Sequence, residues 1–135
     1  MPIYKCYVQE GTVPVSRRAE LAREITEAHV AATGAPAGFV HVFFYDIPAG
    51  SGFTGGEPSR ASVIEATHRA GRPLATRQRI LAAVSRAWTR VTGQAPTDLM
   101  ISIAEVDARS AMEGGFVLPA PGEEAGWPGH AAARP

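Results

Sequence analysis

A chain of 135 residues with 13 basic and 13 acidic side chains, and no run of one sign, lacks the electrostatic footprint of a nucleic-acid or anionic-membrane binder. Its one cysteine, Cys6, excludes an internal disulfide and points to a reducing, cytoplasmic setting, while histidines at 29, 41, 68 and 130 lack metal-ligand spacing, so no metal or other cofactor is expected. No stretch reads as a signal peptide or approaches the ~18 apolar residues of a membrane span. One domain over 1–135 is expected, with small molecules or further copies of the chain as partners.

The first eight residues alternate Ile3, Lys5, Tyr7 against Tyr4, Cys6, Val8 and read as a strand. Pro2 opens it. Initiator methionine is normally trimmed before a small residue, so the mature chain is expected to begin with Pro2, whose nitrogen would then be a basic secondary amine; a proline merely tolerated at a strand start is the plainer reading. Residues 10–14 form a turn, and Leu21, Ile25, Ala28 and Ala32 then recur at helical spacing up to a glycine cap at Gly34 with Pro36 beyond. Residues 39–45 are apolar except for His41, as in a strand covered on both faces. Residues 48–56 are a glycine-rich connector with the character of a small hairpin. Residues 61–67 form a third strand, Pro73 opens a second helix with Ile80, Leu81, Val84, Trp88 and Val91 on one face, and residues 99–104 form a fourth strand. Met112, Phe116 and Val117 lie outside any regular element, and the tail over 119–135 reads as irregular, with Trp127 alone to anchor it.

Pro14 matches Pro73, Ile25 matches Val84 and Thr33-Gly34 matches Thr92-Gly93 at a constant offset of 59. This defines tandem units over 2–46 and 61–105. The fold class is therefore α/β (α+β): two β-α-β units forming a four-stranded mixed sheet with two helices on one face. Each crossover makes its two strands parallel, and a pseudo-two-fold would set the halves antiparallel. The end of the first helix, carrying His29, then returns to the edge where Pro2 begins. The third strand delivers Arg69 and Arg72 there, and the fourth leads to Glu113. Two guanidiniums can hold a carboxylate and lower the pKa of a nearby amine, and Glu113 could move a proton or polarise water. Singly, each of these residues has an ordinary surface or helix-end explanation; their convergence is the argument.

With those residues in place the chain resembles the tautomerase superfamily. The matching stretches are Pro2 at the strand head, Thr26-Glu27-Ala28-His29, Pro48-Ala49-Gly50 with Gly55-Gly56, His68-Arg69-Ala70-Gly71-Arg72, and the run from Met112 through Glu113-Gly114-Gly115 to Pro119. They are most similar to the cis-3-chloroacrylic acid dehalogenase branch. The resemblance implies a cofactor-independent homotrimer with Pro2 as catalytic base or acid, Glu113 as water-activating carboxylate, and His29, Arg69 and Arg72 as carboxylate ligands. It also implies Tyr4 as an accessory group and Ser102 where that branch has a second water-activating residue, a tyrosine. A serine is shorter and far less acidic than a phenol, which disfavours dehalogenation or hydration. A tautomerase or isomerase acting on a small unsaturated or α-keto carboxylate is the leading reading, a hydratase or hydrolytic dehalogenase the second, and a non-catalytic trimeric binding protein the third.

Overall fold

The structure, a computed structural model, describes residues 1–130. In chain order the elements are β1 (Ile3–Gln9), α1 (Val15–Thr33), β2 (His41–Ile47), the short pair β3 (Phe53–Thr54) and β4 (Glu57–Pro58), β5 (Ser62–Arg69), α2 (Leu74–Thr92), β6 (Leu99–Val106), and a second short pair, β7 (Met112–Glu113) and β8 (Phe116–Val117). The main sheet has the order β2-β1-β5-β6; β1 and β2 are parallel, β5 and β6 are parallel, and β1 runs antiparallel to β5. The doubled β-α-β arrangement and its antiparallel junction agree with the tandem repeat. The glycine-rich connector is a hairpin, as its composition suggested.

Each helix begins after a proline whose extended ψ (144° at Pro14, 149° at Pro73) leads the chain into the first turn. Each ends at a glycine with positive φ, 71° at Gly34 and 76° at Gly93, a conformation that a side chain would strain. The repeat extends to side chains: Thr33 donates to the His29 carbonyl and accepts from the Ala35 amide, while Thr92 donates to the Trp88 carbonyl and accepts from the Gln94 amide. His29 and Trp88 thus hold equivalent places. In the second half Trp88 is fully buried, as its helical spacing predicted, and its indole N–H and the Ser62 hydroxyl both donate to the Gln94 side-chain oxygen at 2.8 Å. That corner is filled by packing and a closed hydrogen-bond set. The first half leaves its corner to imidazoles.

The helices pack side by side against one sheet face, burying Cys6, Val8, Leu21, Ile25, Ile64, Ile80, Val84 and Trp88. Each fully buried aliphatic side chain of this kind contributes about 1.5–3 kcal/mol. Cys6 is a core residue with no exposure, and burial pushes its thiol up to about 12. The opposite face is open within the chain. There, register aligns the row His41, Ile3, Thr67, Ala104, then Phe43, Lys5, Glu65, Ser102, then Tyr45, Tyr7, Val63, Met100. Phe43, Tyr45 and Met100 are exposed, so within one chain β2 is covered on one face only, not on both as its apolar run suggested. Phe39 does not belong to the strand; it sits in a short 3₁₀ turn and is fully buried.

Two further expectations are corrected. Met112, Glu113, Phe116 and Val117 form the β7–β8 hairpin, its glycines 114 and 115 at φ 59° and 85° supplying the tight turn. Over its described part the tail is docked by more than Trp127. The indole donates to the Val117 carbonyl at 2.8 Å and packs with Phe39, Ala108 and Leu118, while Glu124 reaches back to β5. The remainder, 131–135, lies outside the described residues. Among the described residues no helix is long and apolar enough to cross a membrane, and no cluster of His, Cys, Asp and Glu could hold a metal ion.

Candidate functional site

At the edge where β1 starts and β5 ends, the sequence-predicted groups come together, with one exception. Pro2 is buried, and its backbone is fixed by the His41 amide donating to the Pro2 carbonyl at 3.0 Å. The chain's amino group, on Met1, lies 2.8 Å from Glu113 Oε1. Its pKa is lowered, chiefly by burial and slightly by Arg69, against the opposing hydrogen bond and charge of Glu113. Burial therefore does the larger part of the work that the sequence argument gave to the arginines.

On the helix side of the sheet Tyr4, His29 and His68 form a buried cluster. The Tyr4 hydroxyl and His29 Nδ1 are 2.8 Å apart, and the His29 and His68 rings meet edge to face at 4.9 Å, with Tyr4 5.3 Å from His68. His29 Nε2 and both nitrogens of His68 are buried without a hydrogen-bond partner among the described residues. Burial, then the neighbouring positive or protonatable groups, brings His29 down to about 3 and His68 to about 4, so both are neutral near pH 7. In the tautomer in which the Tyr4 hydroxyl donates to Nδ1, His29 carries its proton on the buried, unpartnered Nε2.

The two arginines differ. Arg69 is fully buried: one NH2 group donates to the Pro119 carbonyl at 2.8 Å, the other to Glu124 Oε1 at 2.6 Å, and its guanidinium lies 5.5 Å from the centre of the Phe39 ring. Burial raises the Glu124 pKa, but hydrogen bonds from Arg69 and from backbone amides outweigh it, and the net shift is downward. Arg72 is half-buried and makes no hydrogen bond among the described residues; burial and Arg69 lower its pKa. Arg72 is thus the guanidinium available to a ligand, whereas Arg69 already carries the tail's carboxylate. Ser102 is the exception: it stands exposed on the open sheet face, beside Glu65 in register and away from this corner of its own chain.

The sequence argument had left His41 open and gave His68 and Glu124 no role. His41 Nε2 lies 2.8 Å from the same Glu113 oxygen that meets the amino group, and Glu113 Oε2 is buried without a partner among the described residues. Strand alternation could have placed His68 with Ile64 and Ala66 on the helix side. No periodicity marks the Glu124 contact.

The buried histidines make a checkable prediction. Unfolded imidazoles take a proton near 6.5, whereas His29 and His68 stay neutral in the folded chain until about pH 3 and 4. Between pH 6.5 and 5 the unfolded state therefore binds more protons, and folding stability falls as pH drops, approaching about 1.4 kcal/mol per pH unit for each histidine. Urea unfolding across that window reads the slope; His68→Gln should roughly halve it, and a flat profile would contradict the burial of both rings as neutral groups.

Two parallel-stranded halves set antiparallel, with an amino end, a glutamate and cationic side chains at one edge, define a tautomerase-type protein. The chain belongs to the family Tautomerase_3, described as "Putative oxalocrotonate tautomerase enzyme", which matches residues 1–130. It is similar to N1, a member of the cis-3-chloroacrylic acid dehalogenase family, with 25% identity, a TM-score of 0.89 and coverage of 97% of each chain. A fused 4-OT solved as an asymmetric trimer is 27% identical with a TM-score of 0.79, covering 85% of this chain and 94% of that one. A "Probable tautomerase" of Streptococcus pneumoniae serotype 4 is 44% identical over 57 residues, 42% of this chain and 93% of that protein, so it is about the size of one β-α-β unit.

Proposed function

We infer that this chain is a tautomerase or isomerase in which Pro2, exposed as the terminal amine by removal of Met1, carries a proton between two positions of a small unsaturated or 2-oxo carboxylate. The observation that carries this reading is the buried amino end beside Glu113, at the corner that also holds His29 and Arg72. Removal of Met1 moves the terminus by one residue, about 3.8 Å along the chain, onto a proline whose carbonyl His41 already fixes.

Arg72 and the Nε2 proton of His29 hold the substrate carboxylate, and Arg69 adds positive potential from behind while bound to Glu124. For an enol substrate the neutral Pro2 nitrogen takes the hydroxyl proton as the C=C electrons move to carbon, and the resulting ammonium, its charge stabilised by the Glu113 carboxylate, returns a proton to that carbon. The carbonyl forms and the amine is regenerated. Phe39, Leu118 and Trp127, the apolar walls near Met1, suit an apolar substituent. Exposed Phe43, Tyr45 and Met100 on the open face, together with the trimeric assembly of the fused 4-OT relative, support a homotrimer.

A second reading, hydration or hydrolytic dehalogenation of a 3-substituted acrylate, is favoured by the buried, unpartnered Glu113 Oε2, which could orient a water. Intact mass comes first: a chain lacking methionine is expected, and a retained Met1 would leave only a non-catalytic binding role. Purified protein is then offered phenylenolpyruvate and a 3-haloacrylate. Ketonisation without halide release supports the first reading, and halide release without ketonisation supports the second.

A further inference from the structure

We propose that His41 is a positioning residue that locks the Glu113 carboxylate so that a single oxygen, Oε2, faces the reacting atoms. The proposal rests on the reading of Glu113 as a catalytic group and adds to it the device that aims that group. Glu113 sits on a two-residue strand followed by two glycines at positive φ, a segment with little of its own to fix a side chain. Its Oε1 has two partners, the Met1 amino group and His41 Nε2, each at 2.8 Å, and its Oε2 is buried with none among the described residues.

Once Met1 is removed, the first of those contacts goes with it. His41 is then the one side chain still holding Oε1 among the described residues. His41 is well suited to the task, because it starts β2, pairs in register with Ile3, and uses its backbone amide to hold the Pro2 carbonyl. One residue therefore fixes both the proline and the glutamate relative to each other: its main chain sets the first, its ring the second. The ring itself lies parallel to that of Phe43, with 6.3 Å between centres. A carboxylate whose one oxygen is pinned presents the other in a fixed direction, and misplacement by even ~1 Å can cost on the order of 100-fold in rate.

The test compares His41→Leu, which keeps bulk but removes the donor, with His41→Gln, which retains a donor of similar reach, each in the presence and absence of Glu113→Gln. Circular dichroism confirms folding, and kcat and KM are read on whichever of the two acids above the protein turns over. His41→Leu should lower kcat roughly 10- to 100-fold with KM little changed, His41→Gln should recover most of it, and His41→Leu should add nothing once Glu113→Gln is present. Wild-type kcat in His41→Leu, or a full additional loss in the Glu113→Gln background, overturns the proposal. An active Glu113→Gln enzyme instead overturns the reading of Glu113 as catalytic, and the proposal with it. If His41→Leu does not fold, or neither acid is turned over, crystal structures of the wild-type and His41→Gln proteins decide. Glu113 held by residue 41 in both supports the proposal, and a Glu113 turned away from His41 in the processed wild-type chain overturns it.

Discussion

A Pro2→Ala protein, processed to a free amino end, should retain its fold and lose about 100-fold or more in turnover. Alanine still offers an amine, so the loss isolates what the ring provides. The pyrrolidine ring blocks rotation about the N–Cα bond and keeps the nitrogen in one orientation, whereas a primary amine rotates and takes up an extra N–H that needs solvation. Acetylating the terminal nitrogen of the wild-type chain should abolish activity altogether, because an amide has no basic lone pair. Steady-state ketonisation of phenylenolpyruvate, with intact mass confirming each terminus, measures both. Unchanged turnover in either would remove the proline from the mechanism.

Glu124→Gln should have the largest effect on stability, about 3 kcal/mol or more, because it strands a fully buried guanidinium without its counter-charge. Glutamine preserves size and one acceptor oxygen, so the loss reports the missing charge and little else. Urea denaturation should show a lower midpoint at similar slope. Replacing both partners by apolar residues, Arg69→Met with Glu124→Leu, should recover much of the loss, since a buried pair often contributes little over a well-packed hydrophobic equivalent. A Glu124→Gln protein as stable as wild type would mean that Arg69 finds other partners readily and that its contact with the tail is incidental.

The constant offset between the halves made two β-α-β units, each with parallel strands, readable from the residues, because right-handed crossovers leave few ways to build such a unit; the antiparallel junction needed the further assumption of a pseudo-two-fold. The convergence of Pro2, His29, Arg69, Arg72 and Glu113 was argued from that topology with the halves set antiparallel. What was not readable depends on chain paths without a repeating period. Arg69 meets Glu124 from 55 positions away through an aperiodic tail, and His41 meets Glu113 across 72. The apolar run from Phe39 to Tyr45 misled for a different reason: hydrophobicity records that a surface is to be covered, and Phe43 and Tyr45 are not covered by anything in their own chain. Ser102, whose place by the site came from the family resemblance alone, lies exposed on that same open face.

The corner draws Tyr4, His29 and His41 from one half of the polypeptide and His68, Arg69, Arg72 and Glu113 from the other. The segment between the halves, with its hairpin at 53–58, therefore acts as a tether as well as a turn. Joined this way, the two half-sites meet at the high effective concentration of an intramolecular encounter, and no free half can pair with its own duplicate to give a corner with the wrong complement of groups. Covalent linkage thus fixes the composition of the site, and it leaves the second half free to fill its own matching corner with Trp88 and Gln94.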